Sequence, residues 1–396
     1  MKIIQISPRT PYPPTNGGEI VAYNTIKYLS MRGHDIILIS ITDKKKKIPE
    51  LEKYCSWIPI QKYTKTTIVG LLSNLFSKKP YTISKYHSNE ARRAVLKILT
   101  KVNVDLVHLD GLHVVYYGAF IKQKLDLPIV LREHNIEAKI MGRFYKNQYN
   151  PFVKLYAYFQ YKKLYRYEAK ASEIFDRCFM ITKKDEKLIK QMNPKAKTAV
   201  ITSGVDTSYF SPIEIEEEPY SITSVASMDW LPNIESILWF HNRILPQVKE
   251  EIPQAKLYIV GKNPPSCIRK LKNEDVVVTG FVEDIRNYIA KCQVFIVPLR
   301  TGSGMRIKIL TALAMRKAIV STSVGCEGIE IIDGKNILIA DAPEDFAQKI
   351  VRLLNSKEER RNLGKEGLKL VKDKYQWERI AEQIEEEYKK IIEAGK

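Results

Sequence analysis

Gly302, Ser303, Gly304, Arg306 and Lys308 fall between an apolar run fit for a buried strand and a run fit for a helix. Glycines let backbone amides come close to a ligand. The first amides of a helix have no partner within it. Cations placed there oppose the helix macrodipole, which favours negative charge at that end. The combination makes sense around an anion, so 302–308 reads as a phosphate-binding strand–turn–helix. Helical spacing puts Arg306 and Lys308 in the first turn, and Ile307, Leu310 and Ala314 on the buried stripe. It also sets Lys308 and Thr311 one turn apart, within reach of one ligand. In the following loop Gly325 and Gly328 bracket Glu327. The simpler alternative is a surface Arg and Lys screened by solvent.

A second group lies in the first half. Gly17-Gly18 separates the first strand from a helix starting near Glu19, where paired glycines suit close approach of amides to a ligand. His108 and His113 in DLVHLDGLH, and His134 in LREHNIE, sit at expected strand ends, the edge where α/β sheets place their sites. Singly, each is more often a structural histidine. Together they point to ligand contact or catalysis, with Asp110, Glu133 and Asn135 placed to orient them. No metal-cage spacing, Asp-x-Asp pair or Ser-centred nucleophile elbow is present.

These residues need α/β scaffolding. Six strands are expected in the first half (2–7, 35–40, 105–109, 129–133, 178–182, 199–202) and six in the second (221–226, 256–260, 276–280, 294–298, 318–322, 337–340). Helical patterns alternate with them, which points to two parallel sheets covered by helices. Pro212, the acidic run 214–218 and Pro219 read as a linker, giving domains 1–205 and 206–375. The amphipathic segment 377–392 has no sheet left to cover in the second domain, so it is expected to pack on the first. One region breaks the rhythm: 144–171 is helical beyond Pro151 and rich in Tyr, Phe, Lys and Arg. Phe152, Tyr156 and Phe159 share one face; Tyr158, Tyr161 and Tyr165 share another. Such a helix suits either a bilayer interface or a packed layer. The stretch 57–93 has similar character.

Length and composition bound the rest. The 396 residues suffice for two ordinary domains. Five scattered cysteines argue for reduced thiols in a cytoplasmic setting. The N-terminus is too brief for a signal peptide, and the apolar run 68–76 is too short and polar to span a bilayer. Residues 1–204 hold 36 Lys and Arg against 16 Asp and Glu, whereas the remainder holds 28 against 29. All surplus basic charge therefore lies in the first half, where it would draw an anionic membrane face, nucleic acid or phosphorylated substrates. No nucleic-acid-binding pattern is present.

Taken together, the Gly17-Gly18 loop, DLVHLDGLH, LREHNIE, SGVDTSYFSP, SMDWLPNIESILWF and GFVEDIRNYIAKCQVFIVPLRTGSGMRIKILTALAM are similar to one family. With GCEGIEIIDGKNILIADAPEDFAQKI and YQWERIAEQIEEEY, the chain resembles the retaining "glycosyl transferases group 1" enzymes, closest in character to an exopolysaccharide and cell-surface-glycan branch. The resemblance implies GT-B architecture: two Rossmann-like domains facing a central cleft, and a C-terminal helix (376–396) crossing back to the first. It implies an acceptor-binding first domain and a second domain binding a UDP- or GDP-sugar, with no cofactor or metal and a glycan or lipid-linked acceptor. It carries donor roles onto Gly302, Ser303, Gly304, Arg306, Lys308, Thr311, Phe281, Val282, Glu327 and Gly328. His108, His113 and His134 then match positions near the transferred sugar. Two family glutamates are replaced by Ser303 and Thr311, and two phosphate-binding cations by Ser227 and Asn233. Arg306 and Lys308 are expected to take over that electrostatic duty. A sugar-nucleotide 2-epimerase or a non-catalytic partner of the same architecture are the alternatives.

Overall fold

The computed structural model describes residues 1–42, 48–64, 66–302 and 304–395. Seven strands form the first sheet: β1 (Lys2–Ser7), β2 (Asp35–Thr42), β3 (Ser56–Gln61), β4 (Leu106–Asp110), β5 (Ile129–Glu133), β6 (Arg177–Met180) and β7 (Thr198–Val200). Their order is β3-β2-β1-β4-β5-β6-β7, and every pairing is parallel. β3 escapes the sequence pattern because it is an edge strand containing Pro59, half-exposed and without a clean apolar run. The second sheet holds β8 (Ser221–Val225), β9 (Lys256–Val260), β10 (Val276–Gly280), β11 (Val294–Val297), β12 (Ala318–Ser321) and β13 (Leu338–Ile339). Its order is β10-β9-β8-β11-β12-β13, again all parallel.

Both orders reverse direction beside the first strand of the sheet, next to β1 and next to β8. The crevice beyond such a reversal is where open α/β sheets bind ligands. The helices that matter for the sites are α1 (Gly17–Met31), α2 (Ile68–Ser73), α3 (Glu137–Lys146), α4 (Pro151–Ile174), α5 (Leu231–Trp239), α6 (Ile307–Ala314) and α7 (Trp377–Ala394). The chain divides into two units, Met1–Thr202 with Ile380–Lys396, and Ser203–Arg379. α7 therefore ends on the first unit. Ile380, Ala381, Ile384 and Tyr388 are fully buried there, while Arg32 binds Glu385 at 2.6 Å and Glu382 at 3.1 Å. Each fully buried side chain of this size contributes about 1.5–3 kcal/mol.

α3 and α4 pack on one another, and the first amides of α3 are bound from α4. Glu168 accepts from the Glu137 N–H at 2.7 Å and the Ala138 N–H at 2.9 Å. The buried face of α4 carries Ala157, Gln160, Leu164, Glu168 and Ala171. Phe152 and Phe159 are not on it: they stand 82% and 48% exposed. The packed-layer alternative thus fails for these two rings.

Candidate functional site

In the first unit, the C-terminal ends of β1, β4 and β5 surround a cavity of about 130 Å³. Ser7, Asp110 and Glu133 are the last residues of those strands, and all three line it. α1 contributes its N-terminus: Asn16 caps it through the Glu19 N–H at 3.1 Å, and Asn16, Gly18 and Glu19 face the cavity. His113, on the short turn after Gly111, and His134, just beyond β5, line the same space. A Cβ placed on Gly18 or on Gly111 would lie 3.8 Å from the His134 ring, so these elements converge closely.

Asp110 is the hub. Its Oδ1 lies 3.0 Å from His134 Nε2, and its Oδ2 accepts from the Ser7 hydroxyl at 3.2 Å. Burial pushes its carboxyl up, but the charge and hydrogen bond of His134 outweigh burial and hold it below the usual range. An ionised Asp110 accepts the hydrogen bond from His134 Nε2 and so orients the ring. His113 packs edge-on against Tyr86 at 5.1 Å; burial, with the charges of Arg9 and Lys85, pushes it down to about 4. It is therefore neutral at pH 7. Glu133 is raised well above the ordinary carboxylate range by burial and by Glu168, Glu137 and Asp185, so it holds its proton. Arg9, which the sequence reading passed over, also lines the cavity beside Asn135 and Glu137.

His108 requires a correction. It points to the same side of β4 as Asp110 but one step deeper, and is completely buried. Its Nδ1 is bonded to the Tyr388 hydroxyl, and its ring meets Phe179 edge-on at 6.3 Å. Burial drives it down to about 3, so it is a neutral core histidine anchoring α7. Gly17 is exposed and does not line the cavity.

In the second unit the candidate residues gather where β11 leads into α6. Gly302 and Gly304 have φ of 128° and 81°, in the left-handed region that favours glycine. A Cβ on Gly302 would sit 2.5 Å from Arg306 Nη2 and 2.7 Å from the Trp230 ring. α6 starts one residue later than expected, so Arg306 is its cap and not part of its first turn. Arg306 is buried, donates to the Gly304 carbonyl at 2.8 Å and lies 5.2 Å from the Trp230 ring centroid. Lys308 Nζ donates to Asn233 Oδ1 at 3.1 Å, and Asn233 Nδ2 in turn binds the Ser227 carbonyl at 2.7 Å. Lys308 Nζ thus sits beside residue 233, one of the two positions that the resemblance left without a cation. Burial, then the nearby Arg306, pushes Lys308 down to about 7.

Other expectations fare differently. Thr311 is buried and its hydroxyl donates to the Ile307 carbonyl at 3.1 Å, so it is spent on its own helix. The expected single buried stripe is replaced by burial of every residue from Ile309 to Ala314, while Ile307 is only half-buried. Glu327 and Gly328 follow β12, next to β11; Phe281, 74% exposed, and Val282 follow the edge strand β10. Ser303 lies outside the described residues. Trp230 and Asn233 were missed as site residues because nothing in their local spacing announces a partner more than 70 positions away.

Comparison with known proteins bears on this geometry. Residues 15–209 match the model "Glycosyltransferase Family 4" and residues 219–356 match "Glycosyl transferases group 1". An uncharacterized 44.6 kDa protein in the cps region of Klebsiella pneumoniae is 25% identical over 362 residues, 88% of this chain and 90% of that one. The structure of sucrose-phosphate synthase from Thermosynechococcus elongatus superimposes with a TM-score of 0.76 at 17% identity, covering 100% of both chains. Anabaena HepE in complex with UDP gives 0.72 at 13% identity, over 98% of this chain and 100% of that one. The architecture is GT-B, and the matches support a glycosyltransferase of that type.

Proposed function

We propose that the chain transfers a sugar from a nucleoside diphosphate to a glycan acceptor, polymeric or membrane-linked, with retention at the anomeric carbon and without a metal. The observation that carries this is the seating of Lys308 on Asn233 beside the amides that open α6. As the glycosidic bond to the donor breaks, negative charge grows on the leaving diphosphate. Preorganised amides and a fixed ammonium stabilise that charge without rearrangement. Arg306 works behind them, holding the Gly304 carbonyl and adding its field. The UDP complex of the similarly folded HepE supports a uridine donor.

The cavity of the first unit would hold the acceptor through its hydroxyl groups. Asn16, Asp110, His113 and His134 offer it donors and acceptors suited to hydroxyl groups. Glu133, raised well above the ordinary carboxylate range by burial, is a poor nucleophile in its protonated form, and burial raises Glu137 in the same direction. Same-face displacement fits better: the acceptor oxygen bonds to the anomeric carbon, the diphosphate departs, and its oxygen takes the acceptor's proton. Titration calorimetry with UDP-, GDP- and ADP-sugars, with and without EDTA, tests donor binding. One donor should bind equally well in both conditions. Binding of none would favour the non-catalytic partner, and epimerised sugar nucleotide formed without acceptor would favour the epimerase. Proton NMR of the product's anomeric centre reports retention.

A further inference from the structure

Two stretches of the first unit contain no carboxylate at all. Residues 53–89 hold six Lys and no Asp or Glu; residues 138–167 hold seven Lys and Arg and, again, no Asp or Glu. At the chain's average composition, about eight carboxylates would be expected in them. The fold brings these two stretches together. Gln160 of α4 accepts from the Tyr81 N–H at 2.9 Å and donates to Asn74 Oδ1 at 3.0 Å. Lys163 donates to the Asn74 carbonyl at 2.7 Å. Gln160 and Asn74 are buried, so the junction is built and not incidental.

Around this junction large apolar side chains face outward. On α2 and the turn after it, Ile68 and Val69 are each 77% exposed, Leu72 59% and Phe76 95%. On α4, Phe152 is 82% and Leu155 56% exposed. Monomeric proteins rarely leave so many large apolar groups together in water without a binding role. Cations accompany them: Lys78 and Lys79 follow Phe76 after Ser77, Lys85 reaches Thr66 at 3.5 Å just before α2, and Lys154 follows Phe152 after Val153. Among the described residues no helix is long and apolar enough to cross a membrane.

We propose that this two-part face, α2 with its following turn and the start of α4, docks the protein on an anionic lipid bilayer. Phe76, Ile68, Val69, Leu72, Phe152 and Leu155 enter the headgroup boundary, while the surrounding lysines meet acidic headgroups. The carboxylate-free composition selects this occupant: a protein partner tolerates mixed charge around an apolar patch, whereas a negatively charged surface repels every carboxylate near it. Docking needs neither donor nor acceptor, so it stands or falls apart from the enzymatic proposal.

The test is co-sedimentation of the full chain with vesicles of phosphatidylcholine containing about 30% phosphatidylglycerol, which supplies a negative surface potential, and with pure phosphatidylcholine vesicles. The expected result is binding to the acidic vesicles that falls at least about tenfold in the Phe76→Ser/Phe152→Ser double variant. Lys78→Glu/Lys79→Glu should remove the preference for acidic lipid, and Ile332→Ser, an exposed apolar site of the second unit, should change nothing. All substituted residues are solvent-exposed, and circular dichroism checks that the variants fold. Equal binding to both vesicle types, or unaltered binding by the phenylalanine variant, overturns the proposal. So does self-association that the same variant abolishes in the absence of vesicle binding, which would make a second copy the occupant.

Discussion

Lys308 concentrates the chemistry of the second unit in one ammonium group. With the site empty it is pushed down to about 7 by burial and by Arg306. A bound diphosphate favours the charged form, so donor binding raises this value and takes up a proton whenever the pH exceeds 7. Donor affinity should therefore be flat below pH 7 and fall as pH rises from 7 to 9, by up to about tenfold per unit. Lys308→Arg, charged throughout, should flatten the slope in calorimetric titrations. Lys308→Ala should weaken donor binding by roughly 1.5–3 kcal/mol, the worth of a charge-assisted hydrogen bond; Lys335→Ala, on an exposed turn of the same unit, should leave it unchanged. In the first unit, Asp110→Asn removes the charge that orients His134. Turnover should drop by more than about tenfold with donor affinity retained, whereas Tyr388→Phe, which removes the hydroxyl bonded to His108, should lower stability by about 1–3 kcal/mol and spare turnover at permissive temperature.

At the scale of elements, the loop before α6 depends on its glycine. Gly302→Ala puts a methyl group against Arg306 and Trp230 in a backbone region that L-residues avoid. Donor affinity should fall by about 1–3 kcal/mol, and the loss should appear in calorimetry with little change in far-UV circular dichroism. The strands and the turn-helix of this loop were legible in the sequence because buried parallel strands are continuous apolar runs bounded by glycine and polar residues. β3 was not legible, since Pro59 and a half-exposed face erase that pattern. His108 misled for a related reason: the sequence shows a histidine near a strand end. It does not show that Asp110, two residues on, takes the mouth of the cavity and leaves His108 beneath it. The contact of Lys308 with Asn233 was equally hidden, although the charge deficit at residue 233 hinted that some cation must substitute. The exposed rings of α4 were ambiguous because an aromatic stripe at helical spacing looks the same facing core or solvent.

At the scale of the whole chain, the first unit is discontinuous, made of Met1–Thr202 and Ile380–Lys396. Ending the chain after Gln376 would uncover the sheet and the groups that Ile380, Ile384 and Tyr388 bury. Such a truncation should aggregate on expression, and limited proteolysis of any soluble fraction should spare the 203–376 portion longest. The surplus of positive charge also belongs to this discontinuous unit. During synthesis, a ribosome releases the first 202 residues long before the segment that seals them exists, while the intervening unit can already mature. The first sheet therefore stays uncovered until Ile380, Ile384 and Tyr388 have been made, so its closure waits on the synthesis of the whole second unit.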